Sequence, residues 1–389
     1  MEFINRLSQK KTIDQMIEDL TKALSGPYDL GILFVSYLTP ENIRQLVDGI
    51  RNRISIKNFV GCTSAGVIGT QQEVEQQPAA SIILAKLPQV NIVSFSLNQS
   101  QLENLETNKD WYQFFEVFPN EHPVFLSFPD PFSIDVDKFL LAINSSYPRC
   151  PVIGGLASGG SGPNENLLIA ENEYYHDGMV GFVLTGNLSM ETVVSQGCRP
   201  VGQTYIVTKA EGNIIYELAG KPFLHVLQGI LDKASARDKL LAQEAIFVGL
   251  VIDEYKHTLK RGDFLIRTLM GIDQSTGAGA IGGYAKIGQT VQFHLRDALT
   301  AADDLNELLE QQVHRHNEKP KGALVFSCNG RGMNLFREKN HDIAIIQNHL
   351  GPIPAVGFFC AGELGPIGGN NFLHGFTDSI ALFYPKHIN

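Results

Sequence analysis

A ten-residue glycine pattern occurs near both ends of this chain and limits its possible folds more than any other feature. It reads VGCTSAGVIG from Val60 and VGFFCAGELG from Val356, so that five of ten positions agree and three of these are glycine. Glycine is found where the backbone turns sharply or approaches another group closely. The repetition therefore predicts a chain built from duplicated units.

Each copy ends a longer unit with one order of local patterns: an apolar run, a loop with helix-start residues, an amphipathic stretch and a second apolar run. The first unit covers 30–66, the last covers 322–362, and a third version at 123–162 ends in GGLASGGSG. A further apolar run follows each glycine loop, at 79–87, 178–186 and 378–385. Each unit is therefore predicted as strand, helix, strand and glycine loop, followed by another strand.

A looser fourth unit is predicted from FLIRTLMGID, GAIGGYAKI and TVQFHLRD, between residues 264 and 297. Apolar runs bounded by glycine and proline that alternate with helical stretches favour mixed sheets covered by helices. We expect an α/β protein of the mixed α+β kind. Its duplicated units would form two mixed β-sheets in two similar halves.

The length of 389 residues suggests two to three domains, at about 100 to 200 residues each. The segment GNIIYELAGKPFLHVLQGIL closes a strand-rich stretch and opens a helix, which places the main division near Gly220. We expect an amphipathic helix at 1–29, a first domain at 30–219 and a second at 220–385.

Composition excludes several functions. The net charge is -10 and no cluster of lysine or arginine exceeds two residues, so the chain lacks the basic surface that nucleic acid requires. The N-terminus lacks the apolar core of a secretory signal, and no apolar stretch approaches the roughly 20 residues that span a bilayer. Five scattered cysteines fit reduced thiols better than a disulfide framework. We expect a cytoplasmic protein that neither binds nucleic acid nor inserts into membranes.

Several motifs in order resemble the FIST family, whose name abbreviates F-box and intracellular signal transduction. They are VGCTSAG, LAGKPFLHVL, RTLMGID, AIGGYAKIGQTVQFHLRD, ALVFSCNGRG, GFFCAGELGP and HGFT. The order is that of an N-terminal followed by a C-terminal FIST segment, in stand-alone form. The resemblance implies a sensory module for small ligands, with amino acids the usual suggestion. Signatures of attached signalling domains do not occur here, so a separate partner protein would carry the output.

The glycine loops are candidate ligand sites, because successive backbone N–H groups in such turns cradle carboxylates or phosphates, and neighbouring hydroxyls add donors and acceptors. The alternative is that the glycines only permit tight chain reversal or close packing. The candidates in the first two loops are Cys62, Thr63, Ser64, Gly154, Gly155 and Ser158.

The last unit carries charged residues in its loops. Arg331 lies between glycines, where its guanidinium could hold a carboxylate at two points, and Glu363 could accept an ammonium group. Together they would form a clamp for a zwitterion, supported by Asn329. The alternative is that Arg331 and Glu363 pair with each other. Cys360 and His374 complete the candidates, although His374 also fits a histidine satisfied within a turn.

Two other classes of function compete with ligand binding. A thiol- or carboxylate-dependent enzyme would use Cys62 or Cys360 with Glu363, but no Cys-to-His spacing supports it and a GxSxG motif is missing. His314 and His316 are two residues apart, a poor spacing for a chelate on a helix. We therefore predict no catalytic residues, no metal and no cofactor. A protein-interaction scaffold without ligand is the other alternative, and the oligomeric state stays open.

Overall fold

The computed structural model of the protein describes residues 1–316 and 318–386. The chain divides into two compact units. The larger unit comprises Met1–Val194, Asn306–Leu373 and Thr377–Asn389. The smaller unit comprises Ser195–Leu305 and His374–Phe376.

The strands in chain order are β1 (Glu2–Ser8), β2 (Tyr28–Ser36), β3 (Ile56–Ser64), β4 (Gly66–Gly69), β5 (Gln72–Glu75), β6 (Ala79–Lys86), β7 (Val90–Leu97), β8 (Val124–Pro129), β9 (Val152–Gly155), β10 (Leu168–Ala170), β11 (Glu173–Tyr175), β12 (Met179–Gly186), β13 (Ser189–Gln196), β14 (Cys198–Glu211), β15 (Ile214–Leu218), β16 (Lys221–Pro222), β17 (Ile246–Val251), β18 (Phe264–Ile272), β19 (Gly279–Ile281), β20 (Thr290–Arg296), β21 (Gly322–Cys328), β22 (Ala355–Cys360), β23 (Glu363–Ile367), β24 (Asn370–His374) and β25 (Thr377–Tyr384).

The helices are α1 (Ile13–Thr21), α2 (Pro40–Arg53), α3 (Gln99–Asn104), α4 (Asn108–Phe115), α5 (Val136–Ser146), α6 (Phe223–Lys233), α7 (Ala236–Glu244), α8 (Ala298–Arg315), α9 (Gly332–Phe336) and α10 (His341–Leu350). A short 3₁₀ helix covers Pro119–Glu121. The mixed α/β class predicted from the sequence is confirmed.

The three strand-helix-strand units are present in the larger unit and are called repeats one, two and three. Repeat one runs β2, α2, β3; repeat two runs β8, α5, β9; repeat three runs β21, α10, β22. In each, the two strands are parallel, and a return strand further along the chain (β6, β12 or β25) runs antiparallel to the first strand. One local design is thus used three times.

Helix α2 shows why these segments fold as predicted. The Thr39 hydroxyl accepts a hydrogen bond from the backbone N–H of Asn42, and Pro40 occupies the first turn, so the start is well capped. Spacings of three and four place the apolar residues on one face, which is buried against the sheet. These residues are Ile43, Leu46, Val47 and Ile50.

The repeats exchange strands in a cycle. The strand after each glycine loop pairs with the second strand of a different repeat: β4 with β22, β10 with β3, and β23 with β9. Three six-stranded sheets result, with the orders β1-β6-β2-β3-β10-β11, β24-β23-β9-β8-β12-β7 and β13-β25-β21-β22-β4-β5. The three sheets therefore share one plan, and each contains strands from more than one repeat.

Three phenylalanines mark the centre of this arrangement. Phe34, Phe128 and Phe326 occupy equivalent positions on the first strands of the three repeats. Their ring centroids are 5.3 Å (Phe34 to Phe128), 6.2 Å (Phe34 to Phe326) and 5.9 Å (Phe128 to Phe326) apart. All three are fully buried in one apolar core. The three repeats thus meet at one place, where their central phenylalanine rings contact one another.

The repeated glycines have a packing role. Gly61, Gly154 and Gly357 occupy the same place on β3, β9 and β22, and a Cβ at any of them would overlap a backbone carbonyl oxygen of the neighbouring first strand. The close approach of two parallel strands therefore requires glycine at this position.

The predicted amphipathic helix is shorter than residues 1–29. It covers Ile13–Thr21, and the strand β1 precedes it because β6 offers a partner for all seven residues of β1. The tertiary pairing outweighs the helical appearance of the local sequence.

The smaller unit differs from the repeats. Its strands are antiparallel, in the order β14-β20-β17-β18-β19-β15-β16. Strand β14, at one edge of this order, also pairs with β15 near the other edge. The looser fourth unit corresponds to β18, β19 and β20 of this sheet. It is therefore not a further copy of the strand-helix-strand design.

Candidate functional site

Ser158, from the second glycine loop, connects the three repeats. Its hydroxyl accepts a hydrogen bond at 3.0 Å from the backbone N–H of Ala65 in repeat one, and donates to the carbonyl oxygen of Phe359 in repeat three. The hydroxyl is thereby used within the protein. This observation favours the packing alternative for the second loop.

The hydroxyls of the first loop are also used internally. Thr63 donates to the side-chain oxygen of Asn166 at 3.3 Å and accepts from the N–H of Leu167 at 3.0 Å. Ser64 donates to the carbonyl oxygen of Val35 at 3.0 Å. The Thr63 contacts connect repeat one to the segment before β10, whereas the Ser64 contact lies within repeat one. A ligand role for Thr63 and Ser64 stays a prediction.

Gly154 and Gly155 are packed against other strands. A Cβ at Gly155 would overlap the Sγ atom of Cys360, and one at Gly154 would overlap the carbonyl oxygen of Ser127. The second loop therefore brings repeat two against repeat three, and glycine is needed for that contact.

Arg331 lies at the end of the loop after β21, immediately before α9, and is fully buried. Its Nε and Nη2 atoms donate to the two carboxyl oxygens of Asp342, at 2.7 and 2.9 Å. The ring of Phe336 covers the guanidinium group at 5.3 Å. Asp342, in the first turn of α10, thus compensates the positive charge of Arg331. The motifs in the sequence did not indicate Asp342 as a site residue.

Glu363 begins β23 and is fully buried. Its Oε2 atom accepts hydrogen bonds from the backbone N–H and the hydroxyl of Thr377, at 3.1 and 2.7 Å. In the described part of the chain, its Oε1 atom is buried without a hydrogen-bond partner. Arg331 and Glu363 therefore have separate hydrogen-bond partners, Asp342 and Thr377, and the alternative in which the two residues pair with each other is not the observed arrangement.

Asp378 is a third buried acid, and sequence reasoning missed it. It follows Thr377 on β25, opposite Ser327 of β21, and is fully buried. Neither of its carboxyl oxygens has a hydrogen-bond partner among residues 1–316 and 318–386. Asp378 is close enough to Arg331 and Glu363 for their charges to influence its pKa. We call Asn329, Arg331, Asp342, Glu363 and Asp378 the repeat-three site.

The other repeats show that the fold does not require an acid at the position of Asp378. In every repeat the equivalent residue of the return strand faces the residue after the central phenylalanine. This residue is Ala80 in repeat one and Met179 in repeat two. The carboxyl group of Asp378 is therefore specific to repeat three.

The same comparison applies to Glu363. It faces Gly155, the residue after the repeated glycine of β9. At the two equivalent positions, the exchanged strands carry Val67 and Leu168. Two apolar positions of the shared design are thus replaced by acids, and both acids belong to the repeat-three site.

Burial and neighbouring charges divide the acids into two kinds. Burial opposes ionisation of Asp342, but the charges of Arg331 and His341 and their hydrogen bonds to the carboxyl group together outweigh it and lower the pKa of Asp342 to about 2. Burial raises the pKa of Glu363 to about 8, against the hydrogen bonds from Thr377. Burial, and then the negative charge of Asp342, hold the pKa of Asp378 well above its ordinary value. The site therefore contains one ion pair, between Arg331 and Asp342, and two further acids, Glu363 and Asp378, whose surroundings oppose ionisation.

Two glutamates of β5, in repeat one, hold the helices next to the site. Glu73 accepts a hydrogen bond from the backbone N–H of Ile343 in the first turn of α10, at 2.8 Å. Glu75 accepts from the N–H of Met333 in α9, at 3.0 Å. These N–H groups have no partner within their own helices, so β5 satisfies them and connects to both helices that carry or flank Arg331 and Asp342.

The remaining candidates occupy different places. The Asn329 backbone N–H donates to the carbonyl oxygen of Cys360 at 2.8 Å, and its side-chain Oδ1 is buried with no hydrogen-bond partner in the described residues. His374 lies in the smaller unit and is buried. Burial raises the pKa of the Cys62 and Cys360 thiols, which disfavours the thiolate that nucleophilic catalysis needs.

The sequence matches the models of two known protein domains. The model of the FIST N domain matches residues 29–221, and that of the FIST C domain matches residues 224–366. The chain therefore belongs to the FIST family, as its motifs predicted. FIST domains are associated with signal transduction and small-ligand sensing.

Three uncharacterized proteins are similar to this chain over most of their length. An uncharacterized protein of Mycobacterium tuberculosis is 37% identical over 358 residues, which cover 92% of this chain and 92% of the relative. An uncharacterized protein of Mycobacterium bovis is 36% identical and covers 91% and 90%. One from Methanocaldococcus jannaschii is 23% identical and covers 82% of this chain and 64% of the relative. Within the described residues, no helix is long and apolar enough to cross a membrane.

Proposed function

We propose that this protein is a cytoplasmic sensory module that binds a small ligand at the repeat-three site and signals through a separate partner protein. An amino acid or a similar small carboxylate is the ligand that the site fits best. Its carboxylate would bind Arg331, and its ammonium group would bind Asp378 and Glu363.

One observation carries the proposal. Arg331 Nη1, Glu363 Oε1 and both carboxyl oxygens of Asp378 are buried without hydrogen-bond partners in the part of the chain that the structure describes. Buried polar atoms are normally paired, and an unpaired one costs about 1 to 3 kcal/mol. A zwitterion supplies an acceptor for Arg331 Nη1, and its ammonium group supplies donors for the carboxyl oxygens of the acids once these have released their protons to solvent, so it would relieve this cost at both ends.

The position of the site supports the same conclusion. It lies where the parallel strands β21 and β22 end, at Cys328 and Cys360. Ligands of α/β proteins commonly bind at the carboxyl ends of parallel strands. The acids at this end replace residues that are apolar in the other repeats, so their presence is better explained by binding than by folding.

The helices around the site offer a route for a signal. Arg331 directly precedes α9, Asp342 is in the first turn of α10, and β5 caps both helices. A ligand carboxylate at Arg331 Nη1 would lie beside the pair of Arg331 with Asp342 and would shift α9 and α10 relative to β5. The surface that the helices present to a partner would change accordingly.

The test is thermal unfolding of the full chain against amino acids, small carboxylates and nucleotides. At about 100 times its dissociation constant, a ligand of the native state adds roughly 2.7 kcal/mol. This should raise the melting temperature by several degrees, at roughly 2 to 4 °C per kcal/mol. The shift should disappear in Asp378→Ala and remain in Glu310→Gln, since the Glu310 side chain is 67% exposed.

Two results would contradict the proposal. If Asp378→Ala kept the full shift, the ligand would bind elsewhere in the protein. If no compound of any class shifted unfolding, a scaffold that binds another protein would become the better explanation.

A further inference from the structure

The three sheets of the larger unit end in edge strands that differ in how they are protected. The edge strands are β1 and β11, β24 and β7, and β13 and β5. An edge strand presents a row of backbone N–H and C=O groups with which another chain can pair. Natural proteins therefore keep edge strands short, place charges on them or cover them with other elements. Five of these six strands are protected in such a way, and β7 is not.

Three edges are covered by polar side chains. Asn340, directly before α10, accepts a hydrogen bond from the backbone N–H of Glu73 in β5, at 2.8 Å. Asn144 of α5 accepts one from the N–H of Asn371 in β24, also at 2.8 Å. The third edge, β13, is covered by α8, whose Gln312 side chain donates to a carbonyl oxygen of the strand at 3.5 Å. A strand from another chain would have to displace these side chains.

The sheet that ends in β1 and β11 is protected differently. Strand β11 has three residues, which leaves little backbone for pairing. Strand β1 carries charged side chains at Glu2 and Arg6. Short length and charge both disfavour the pairing of an edge with another strand.

Strand β7 has none of these features. It comprises eight residues, VNIVSFSL, with no proline and no charged side chain. The uncharged stretch extends from Leu87 to Leu102, although Asp, Glu, Lys and Arg make up 19% of the chain. The register of β7 with β12 is continuous from end to end, without a bulge. The strand is therefore long, regular and without the usual protection.

The backbone groups along this edge are open. The N–H of Asn187 donates to the carbonyl oxygen of Gln89 at 2.9 Å, which fixes the phase of the ladder between β7 and β12. Because hydrogen-bonded and non-hydrogen-bonded pairs alternate in an antiparallel ladder, every second residue of β7 directs its N–H and C=O groups away from β12. These residues are Val90, Ile92, Ser94 and Ser96. Apart from the N–H of Val90, which donates to Leu87, these groups have no hydrogen-bond partner among residues 1–316 and 318–386.

Both faces of β7 are already packed, so the edge is the part of the strand that is left for a partner. Phe95 and Leu97 are buried in the apolar cluster that contains Trp111 and Phe115, and the rings of Phe95 and Phe115 are 5.1 Å apart. On the opposite face, Ile92 is partly buried against the central core. The strand is thus held in an extended form, and ordering it for pairing costs little conformational freedom.

We infer that two copies of this chain associate through β7, which pairs with its own copy antiparallel about a twofold axis. The sheets β24-β23-β9-β8-β12-β7 of the two copies then form one continuous sheet. The charge pattern favours a second copy as the partner. A strand that pairs with itself about a twofold axis brings its charges close to the same charges in the other copy, which destabilises the pair. The chain has a net charge of -10, but β7 carries none of it.

The side-chain pattern of β7 also fits this arrangement. With Ser94 of each copy opposite Ser94 of the other, the open backbone groups of Ile92 lie opposite those of Ser96 and can bond to them. Val93 of each copy lies opposite Phe95 of the other, so apolar side chains meet on one face of the sheet. The inference does not rest on the proposed function, because its test needs no ligand.

The experiment is sedimentation equilibrium of the full chain at protein concentrations from low micromolar to several hundred micromolar. We expect a reversible equilibrium between the 42.8 kDa chain and a species of twice that mass. Hydrogen exchange followed by mass spectrometry should locate the interface. Peptides that contain β7 should exchange more slowly as the protein concentration rises, whereas peptides that contain β5 should not change.

Variants test the edge directly. Asn91→Lys places a charge on β7 at an exposed side chain, and should raise the dissociation constant of the dimer at least about 10-fold. Asn370→Lys is the matched control, since it makes the same exchange at an exposed asparagine on the other edge of the same sheet, and should leave the dissociation constant unchanged. Ser94→Pro is a second variant, which removes an outward N–H group from the centre of the pairing. Proline is accepted on edge strands where the N–H group faces solvent, and circular dichroism checks that the variant is folded.

Three results would overturn the inference. The first is a chain that stays monomeric over the whole concentration range. The second is a dimer whose dissociation constant is the same in the parent protein, Asn91→Lys and Ser94→Pro, because its interface would then lie elsewhere. The third is a monomer in which β7 is nevertheless protected from exchange, since another segment would then cover this edge.

Discussion

Arg331 and Asp342 form a two-point ion pair in the interior of the protein, with Nε and Nη2 donating at 2.7 and 2.9 Å. The exposed fractions of the two side chains are 1% and 2%. A charge buried to this extent depends on its partner, because taking an ion out of water is costly unless an opposite charge compensates it. The stability of the folded protein therefore depends on the pairing of Arg331 with Asp342.

Arg331→Ala should lower the free energy of unfolding by about 3 to 5 kcal/mol, because it leaves the carboxylate of Asp342 buried and unpaired. Urea titration followed by fluorescence of Trp111, the one tryptophan of the chain, measures this change. Lys57→Ala is the control, since the Lys57 side chain is 62% exposed in its ion pair with Asp29 and should contribute at most about 1 kcal/mol. An equal loss of unfolding free energy in Arg331→Ala and Lys57→Ala would show that the buried ion pair stabilises the protein no more than an exposed one.

Glu363 should make the protein less stable as the pH rises. Its pKa is about 8 in the folded state, against an ordinary value of 4.5, so between these values the folded state holds a proton that the unfolded state has lost. The stability from this proton is complete below about pH 4.5 and is lost as the pH rises through 8. Glu363→Gln should reduce the slope of stability against pH by up to about 1.4 kcal/mol per unit.

Urea unfolding at pH 5, 6, 7 and 8 measures this slope. Glu73 also has a pKa raised to about 8, by burial and by the charge of Asp342, so part of the slope should remain in Glu363→Gln. Glu310→Gln should keep the parent slope. If Glu363→Gln kept it too, Glu363 would be ionised in the folded protein.

The repeats could be predicted from the sequence because their signals are local. In repeat one, the apolar run of β2, the cap of α2 and the glycine loop after β3 each lie within a few residues of the element that they specify. The exchange of strands between repeats could not be predicted in this way. Strand β4 has four residues, and its partner β22 lies almost 300 positions later, so no local pattern identifies the pair.

The candidate site was predicted in part, for a similar reason. Arg331 and Glu363 stand out as charged residues within glycine loops. Asp342 looks like an ordinary acid in the first turn of a helix, and Asp378 looks like the polar start of a strand. Their importance comes from burial and from their neighbours in space, which depend on the packing of repeats that are distant in sequence.

Two glycines with opposite surroundings give a matched test of the packing argument. Gly357→Ala should destabilise the protein by several kcal/mol or prevent folding, because the new Cβ would overlap the carbonyl oxygen of Val325. Gly229→Ala should stabilise it by about 0.5 to 1 kcal/mol, since this glycine lies within α6 and, apart from its chain neighbours and the backbone of its own helix, no heavy atom lies within 4 Å of the added Cβ. Thermal unfolding of both variants measures the two signs. Similar effects in both would show that β21 and β22 can separate.

Asp378 should be a residue that the protein retains at a cost in stability. Its carboxyl group is buried without a hydrogen-bond partner in the described part of the chain, and the equivalent residues Ala80 and Met179 show that the shared fold accepts an apolar side chain there. Asp378→Ala should therefore raise the free energy of unfolding, by about 1 kcal/mol or more, while it abolishes ligand binding. Asp342→Ala, which removes an acid that is paired, should lower it by about 3 to 5 kcal/mol. Urea titration of the two variants decides the matter: a loss of stability in Asp378→Ala comparable to that in Asp342→Ala would mean that Asp378 has a structural partner and is no mark of a binding site.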